Sequence, residues 1–137
     1  MYKRLKIFID GASKGNPGDG GAGILIFDER GKVVKEVSEY LGNCTNNVAE
    51  YKALLISLKE ALDLKAEYIS IFCDSELLVN QIKGIYKVKS PHLKPLYKKA
   101  VELLKNFNYY EITHIKRDEN NIADMLANKA IKNKKAK

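Results

Sequence analysis

The chain is short of cysteine, histidine and long apolar runs, and each shortage removes a class of protein. Cys44 and Cys73 are the only cysteines among 137 residues. A disulfide-stapled scaffold is excluded, and so is a zinc site built from paired CxxC motifs. Two reduced core thiols and one disulfide both remain open. His92 and His114 are the only histidines, so no histidine cluster offers a metal site. No apolar run approaches the length that spans a membrane. The N-terminal MYKRLKIFID is basic, but its apolar stretch is too short for a secretion signal. A cytoplasmic location is therefore expected. Repeats and linkers are absent as well. One domain is expected over residues 1–131, with a frayed lysine-rich tail over 132–137.

Acid is the scarcer charge. Twenty-four Lys and Arg stand against 17 Asp and Glu, a net charge of +7. That balance favours an anionic partner such as nucleic acid; a solvated Lys/Glu surface is the plain alternative. The 45% hydrophobic content suits a globular domain.

Glycine, by contrast, is concentrated. Six of the nine glycines fall in IFIDGASKGNPGDGGAGILIF, residues 7–27. This is not a phosphate-binding loop of the GxxxxGK[ST] kind: the spacing is wrong and no helix follows. Residues 3–9 read as a strand closed by Asp10, residues 22–28 as a second strand and 33–41 as a third. Val48, Tyr51, Leu54, Leu55, Leu58, Ala61 and Leu62 recur at helical spacing. Residues 67–73 read as a buried strand, 75–83 as a helix stopping near Gly84, and 109–115 as a fifth strand. A helix capped by Ser90 with Pro91 at its first position runs to Phe107, and a final helix starts near Asn120. The order β-β-β-α-β-α-α-β-α implies an α/β fold: a five-stranded mixed sheet, three antiparallel strands then two parallel, with helices packed on it.

Four acids fall at the ends of these elements: Asp10, Glu50, Asp74 and Asp124. Asp10 and Asp74 stand side by side if strands 1 and 4 are neighbours. Each acid also has a structural reading. Glu50 lies three residues after Asn47 and fits a capping box. Asp74 fits a helix cap, and Asp124 fits a helix N-terminal dipole. Asp10 has no such excuse. Four carboxylates at one place repel unless cations lie between them. An oxygen-only donor set selects Mg²⁺ or Mn²⁺. Two such ions roughly 4 Å apart suit phosphodiester hydrolysis by in-line attack of water.

FIDGASKGNPGDGGAGIL, TNNVAEYKALLISL, IFCDSELLVNQIKG and RDENNIADMLANKA occur in that order. Together they resemble type 1 ribonuclease H, over nearly the whole chain from Ile7 to Ala130. The resemblance implies a ribonuclease H-like fold with helices on both sheet faces. It also implies cleavage of the RNA strand of RNA–DNA hybrids with two Mg²⁺ or Mn²⁺ ions, by a monomer. Asp10, Glu50, Asp74 and Asp124 match the family's metal-binding acids. Gly11, Ser13 and Asn16 match the turn that meets RNA 2′-hydroxyls. Thr45, Asn46 and Asn47 match its nucleic-acid-contacting TNN segment, with Ser75 a weaker candidate. Glycines at the turn would let the backbone press against the ribose.

Two departures from the family pattern stand out. The long basic protrusion is reduced to KGIYKVKSPHLKP, which keeps Lys83, Lys87, Lys89, Lys94 and Tyr86. The mobile histidine loop is replaced by KRDENN, leaving His114 in a strand as an auxiliary candidate and Arg117 as a phosphate or scissile-site contact. This short pattern resembles a compact archaeal and bacterial subgroup, which adds double-stranded RNA as a second substrate. Two competing readings are a hybrid-binding module with little catalysis and an integrase- or resolvase-like nuclease. The four acids argue against the first; GNPG and TNN argue against the second.

Overall fold

The computed structural model describes residues 2–136. Three strands open the chain: β1 (Arg4–Gly15), β2 (Gly18–Phe27) and β3 (Val33–Cys44). They are followed by α1 (Asn46–Asp63), β4 (Tyr68–Cys73), α2 (Glu76–Ile82), α3 (Lys94–Leu104) and β5 (Tyr109–His114). A short 3₁₀ turn at Arg117–Glu119 leads into α4 (Asn121–Ala136). The five strands form one sheet in the order β3-β2-β1-β4-β5. β1 runs antiparallel to β2, β2 antiparallel to β3, and β4 lies parallel to both β1 and β5.

Alternation along β1 decides which face each helix covers. Leu5, Ile7 and Ile9 are buried together with Ala22, Ile24 and Ile26 of β2 and with Leu54 and Leu58 of α1. The register pairs Ile9 with Ile24 and Ile7 with Ile26, so these side chains share a face. Removing each such side chain from water contributes about 1.5–3 kcal/mol. The opposite face is seated on α4. A Cβ added at Gly23 would strike the Ala123 carbonyl, and one at Gly21 would strike the Ala127 carbonyl. Helices therefore flank both faces, as the family resemblance implied.

The glycine-rich segment is the main departure from expectation. It is not a loop after Asp10. β1 continues to Gly15 and β2 begins at Gly18, so the connection is only Asn16 and Pro17. Asp10 sits mid-strand rather than closing it. What ends there is the partner: pairing of β1 with β4 stops at Ile9–Cys73. The glycines at 11, 21 and 23 are where helices come close, so their small size serves helix packing.

Other boundaries shift for local reasons. Thr45, not Asn47, caps α1 by accepting the Val48 N–H at 3.3 Å. Glu50 is thus too far along the helix to close a capping box. Ser75, not Asp74, caps α2 by accepting the Leu78 N–H at 3.2 Å. α2 ends at Ile82, just before Gly84 at φ 81°. Ser90 and Pro91 belong to a turn, and α3 begins only at Lys94 with Leu93 at its cap. α4 extends through residues 132–136, where a frayed tail was expected; Lys137 lies outside the described residues. Cys44 and Cys73 are both buried free thiols.

Gly23→Ala should lower the unfolding free energy by about 2–3 kcal/mol, because α4 backbone must move. Gly31→Ala should cost only about 1 kcal/mol, since that residue pays for its φ of 81° but has open space around it. Urea denaturation of the two variants checks the order.

Candidate active site

Three carboxylates converge where β4 ends. Ligand oxygens of Asp10, Glu50 and Asp74 all lie within 4.8 Å of one another. Each arrives on a different element. Asp10 comes from mid-β1 and Glu50 from the second turn of α1. Asp74 follows the last residue of β4, in the link to α2. The Ile9–Cys73 pairing places Asp10 and Asp74 one step beyond the same rung. Glu50 is brought in by Gly11, whose N–H donates to Glu50 Oε1 at 2.6 Å. A side chain at Gly11 would collide with the backbone of Ala49 and Glu50.

Asp124 stands beside this trio without joining its tightest set. It lies half-buried in the first turn of α4, close enough to help raise the proton affinity of Asp10. Asn128 Nδ2 donates to Asp124 Oδ1 at 3.3 Å and to its carbonyl at 2.9 Å. The capping readings of Glu50 and Asp74 fail, because Thr45 and Ser75 do that work. Asp124 does occupy a helix N-terminus, so its dipole reading stands next to its site reading.

The residues expected to meet RNA form a lock between the β1–β2 hairpin and α1. Asn46 Oδ1 accepts the Ser13 N–H at 3.0 Å, and the Asn46 N–H donates to Asn16 Oδ1 at 2.9 Å. Ser13 Oγ donates to the Cys44 carbonyl at 2.8 Å and also contacts the Gly15 carbonyl. Thr45 and Ser75 spend their hydroxyls on helix caps. Asn47 is exposed on the first turn of α1. His114 is held in β5, exposed and in register with Cys73, and not on a loop. Arg117 is exposed, yet its charge favours the Glu50 anion.

The family model described as reverse transcriptase-like matches residues 8–130. The curated ribonuclease HI of Halobacterium salinarum is 38% identical over 128 residues, 93% of this chain and 64% of that relative. The chain thus spans just under two thirds of that relative's length. The crystal structure of ribonuclease H1 from the same halophilic archaeon superposes with a TM-score of 0.92 at 38% identity, covering 95% of this chain and 98% of that one. The chain belongs to the ribonuclease H family. A second ribonuclease H1, LC11, solved in complex with an RNA/DNA hybrid, gives a TM-score of 0.88 at 38% identity, over 94% of this chain and 97% of that one.

The donor chemistry fits the divalent cations on which this family depends. The cluster offers carboxylate oxygens, with no nitrogen or sulfur ligand among them, which suits a hard ion such as Mg²⁺ or Mn²⁺. Its electrostatics demand compensation. Asp10 is pushed well above the ordinary carboxylate range, by burial first and then by Glu50, Asp74 and Asp124. Glu50 is pushed up by burial and by Asp74, opposed by the Gly11 N–H, Asp10 and Arg117. Burial and the neighbouring acids also push the Cys73 thiol up, which keeps it neutral.

Sequence reading missed one residue here. Asn120 is 2% exposed, and its Nδ2 donates to the Ile9 carbonyl at 2.8 Å and to Asp74 Oδ2 at 3.2 Å. An asparagine before a helix looks like a cap, so no local signal sets it apart.

The sign of the pH dependence follows from the raised carboxyls. Above about pH 4 the unfolded chain releases these protons freely, whereas the metal-free folded chain retains them. The metal-free protein should therefore lose stability as pH rises through neutrality. Asp10→Asn should be more stable than the parent by about 1–2 kcal/mol at pH 8, roughly 3–6 °C in Tm, and the gap should shrink towards pH 4. Mg²⁺ should raise the parent's Tm and leave the variant's nearly unchanged. Thermal melts from pH 4 to 9, with and without Mg²⁺, check both trends.

Proposed function

We propose that this chain is an endoribonuclease that hydrolyses the RNA strand of RNA–DNA hybrids, leaving 5′-phosphate and 3′-hydroxyl ends. The observation that carries the reading is the trio Asp10, Glu50 and Asp74, crowded within 4.8 Å on three elements of a ribonuclease H fold. Asp124 completes the set as the fourth acid. Two Mg²⁺ or Mn²⁺ ions bound there supply Lewis-acid chemistry, activating water and stabilising charge on the leaving 3′ oxygen.

The chain's own residues do the rest. Asp10, Glu50 and Asp74 stand on a frame set by the strand register and would hold the cations there. The Gly11 N–H orients Glu50. Ser13, Asn16 and Asn46 hold the hairpin against α1 and present backbone and side-chain groups to the substrate next to the acids. Thr45, Asn47 and Ser75 frame the same edge. Reading a 2′-hydroxyl, at once donor and acceptor, requires polar groups held rigidly at a shallow minor groove. Arg117, whose charge favours the Glu50 anion, would meet the scissile phosphate. His114 is an auxiliary at the end of β5.

Hybrid as substrate is supported by the family and by the LC11 relative crystallised with one. The short segment between α2 and α3 supports the compact subgroup, and with it double-stranded RNA as a second substrate. A monomer in the cytoplasm belongs to the same reading; among the described residues no helix is long and apolar enough to cross a membrane.

Cleavage of four matched duplexes tests the proposal: hybrid, double-stranded RNA, DNA, and DNA with one ribonucleotide. Hybrid should be cut with either Mg²⁺ or Mn²⁺ and all-DNA duplex should stay intact. Asp10→Asn should lose at least about 10³-fold in rate while still binding hybrid. Binding of hybrid without cleavage under any metal would replace the enzyme by a binding module.

A further inference from the structure

We propose that Asn120 is a positioning residue for the acid cluster, linking the Asp74 carboxylate to the backbone of β1 beside Asp10 and to the backbone of Asp124. The inference rests on the nuclease reading above.

Asn120 closes the Arg117–Glu119 turn and precedes α4. An asparagine at this place ordinarily turns its side-chain oxygen onto its own helix, accepting an N–H of the first turn. Here the side chain points away from that role. Its Nδ2 bridges the Ile9 carbonyl, next to Asp10, and Asp74 Oδ2. Its backbone carbonyl accepts the Asp124 N–H at 3.1 Å. One residue therefore touches the β1 backbone at Asp10, the Asp74 carboxylate and the backbone of Asp124.

The amide has only one workable orientation. Reversing it would set its oxygen against a carbonyl and a carboxylate, both acceptors. The orientation leaves Asn120 Oδ1 buried with no hydrogen-bond partner among the described residues. A buried oxygen without a partner is a standing cost to the fold. An apolar side chain of similar size would avoid it. What the amide supplies in return is a fixed Asp74: one carboxylate oxygen is engaged, so the group cannot swing away from Asp10 and Glu50 when like charges repel. Partners that orient ligands in this way control metal affinity by about 10–100-fold.

Two variants separate positioning from plain structure. Asn120→Ala removes the amide, and Asn120→Leu removes it while keeping the volume. Mn²⁺ titration by calorimetry, on the full chain without nucleic acid, should show about 10–100-fold weaker binding in both. In the Asp74→Asn background, adding Asn120→Ala should weaken Mn²⁺ binding no further. KM for hybrid should stay unchanged, and kcat should recover as Mn²⁺ is raised. Wild-type Mn²⁺ affinity in both variants overturns this inference alone. So does loss of fold in both, which would assign Asn120 to the fold. A wild-type chain that binds no Mn²⁺ overturns the nuclease reading and this inference with it.

Discussion

The structure hinges on how closely α1 approaches β1 at Gly11. With no side chain there, the backbone of Ala49 and Glu50 lies directly on the strand, and the Gly11 N–H meets the Glu50 carboxylate at 2.6 Å. Any Cβ would push the helix away and withdraw Glu50 from Asp10. The rest of the edge follows from the same contact. Because β1 is central in the sheet, its other neighbour β4 delivers Asp74 one step past Ile9–Cys73. On the opposite face, Gly21 and Gly23 seat α4 equally close, which sets Asp124 beside Asp10. Close helix approaches at three glycines thus set Glu50 and Asp124, and strand pairing sets Asp10 and Asp74.

Such crowding is a cost that folding alone would not incur. Asp10 and Glu50 are both buried, and that burial is the largest cause of the raised proton affinity of each. The surrounding fold keeps them together with a rigid core, a locked hairpin and the Asn120 bridge. A divalent cation held there would reverse the balance, because carboxylates that repel one another all attract it. The net charge of +7 lies outside this acidic cluster, and a basic surface of that kind favours polyanions.

Much of this was legible in the sequence, and the boundary of legibility has physical reasons. Strand and helix order followed from apolar period, and the neighbouring Asp10 and Asp74 followed from strand ends. The glycine-rich stretch misled because glycine has low β-propensity; pairing with β2 carries β1 to Gly15 regardless. Cap identities slipped by two residues at α1 and by one at α2, since Thr45 and Asn47, or Ser75 and Asp74, satisfy the same local rule. The lock among Ser13, Asn16 and Asn46 spans about thirty residues of sequence, and the Asn120–Ile9 bond spans 111. No local pattern encodes partners so far apart; they exist only once the sheet has formed.

On the proposed function, the β4 end of the sheet is a two-cation site. Anomalous diffraction from crystals grown with Mn²⁺ and a hybrid bearing a non-cleavable linkage tests it most directly. Two peaks roughly 4 Å apart, ligated by Asp10, Glu50, Asp74 and Asp124 and facing the RNA strand, are the predicted result. Peaks elsewhere on the chain, or none beside Asp10 with hybrid bound, would contradict it.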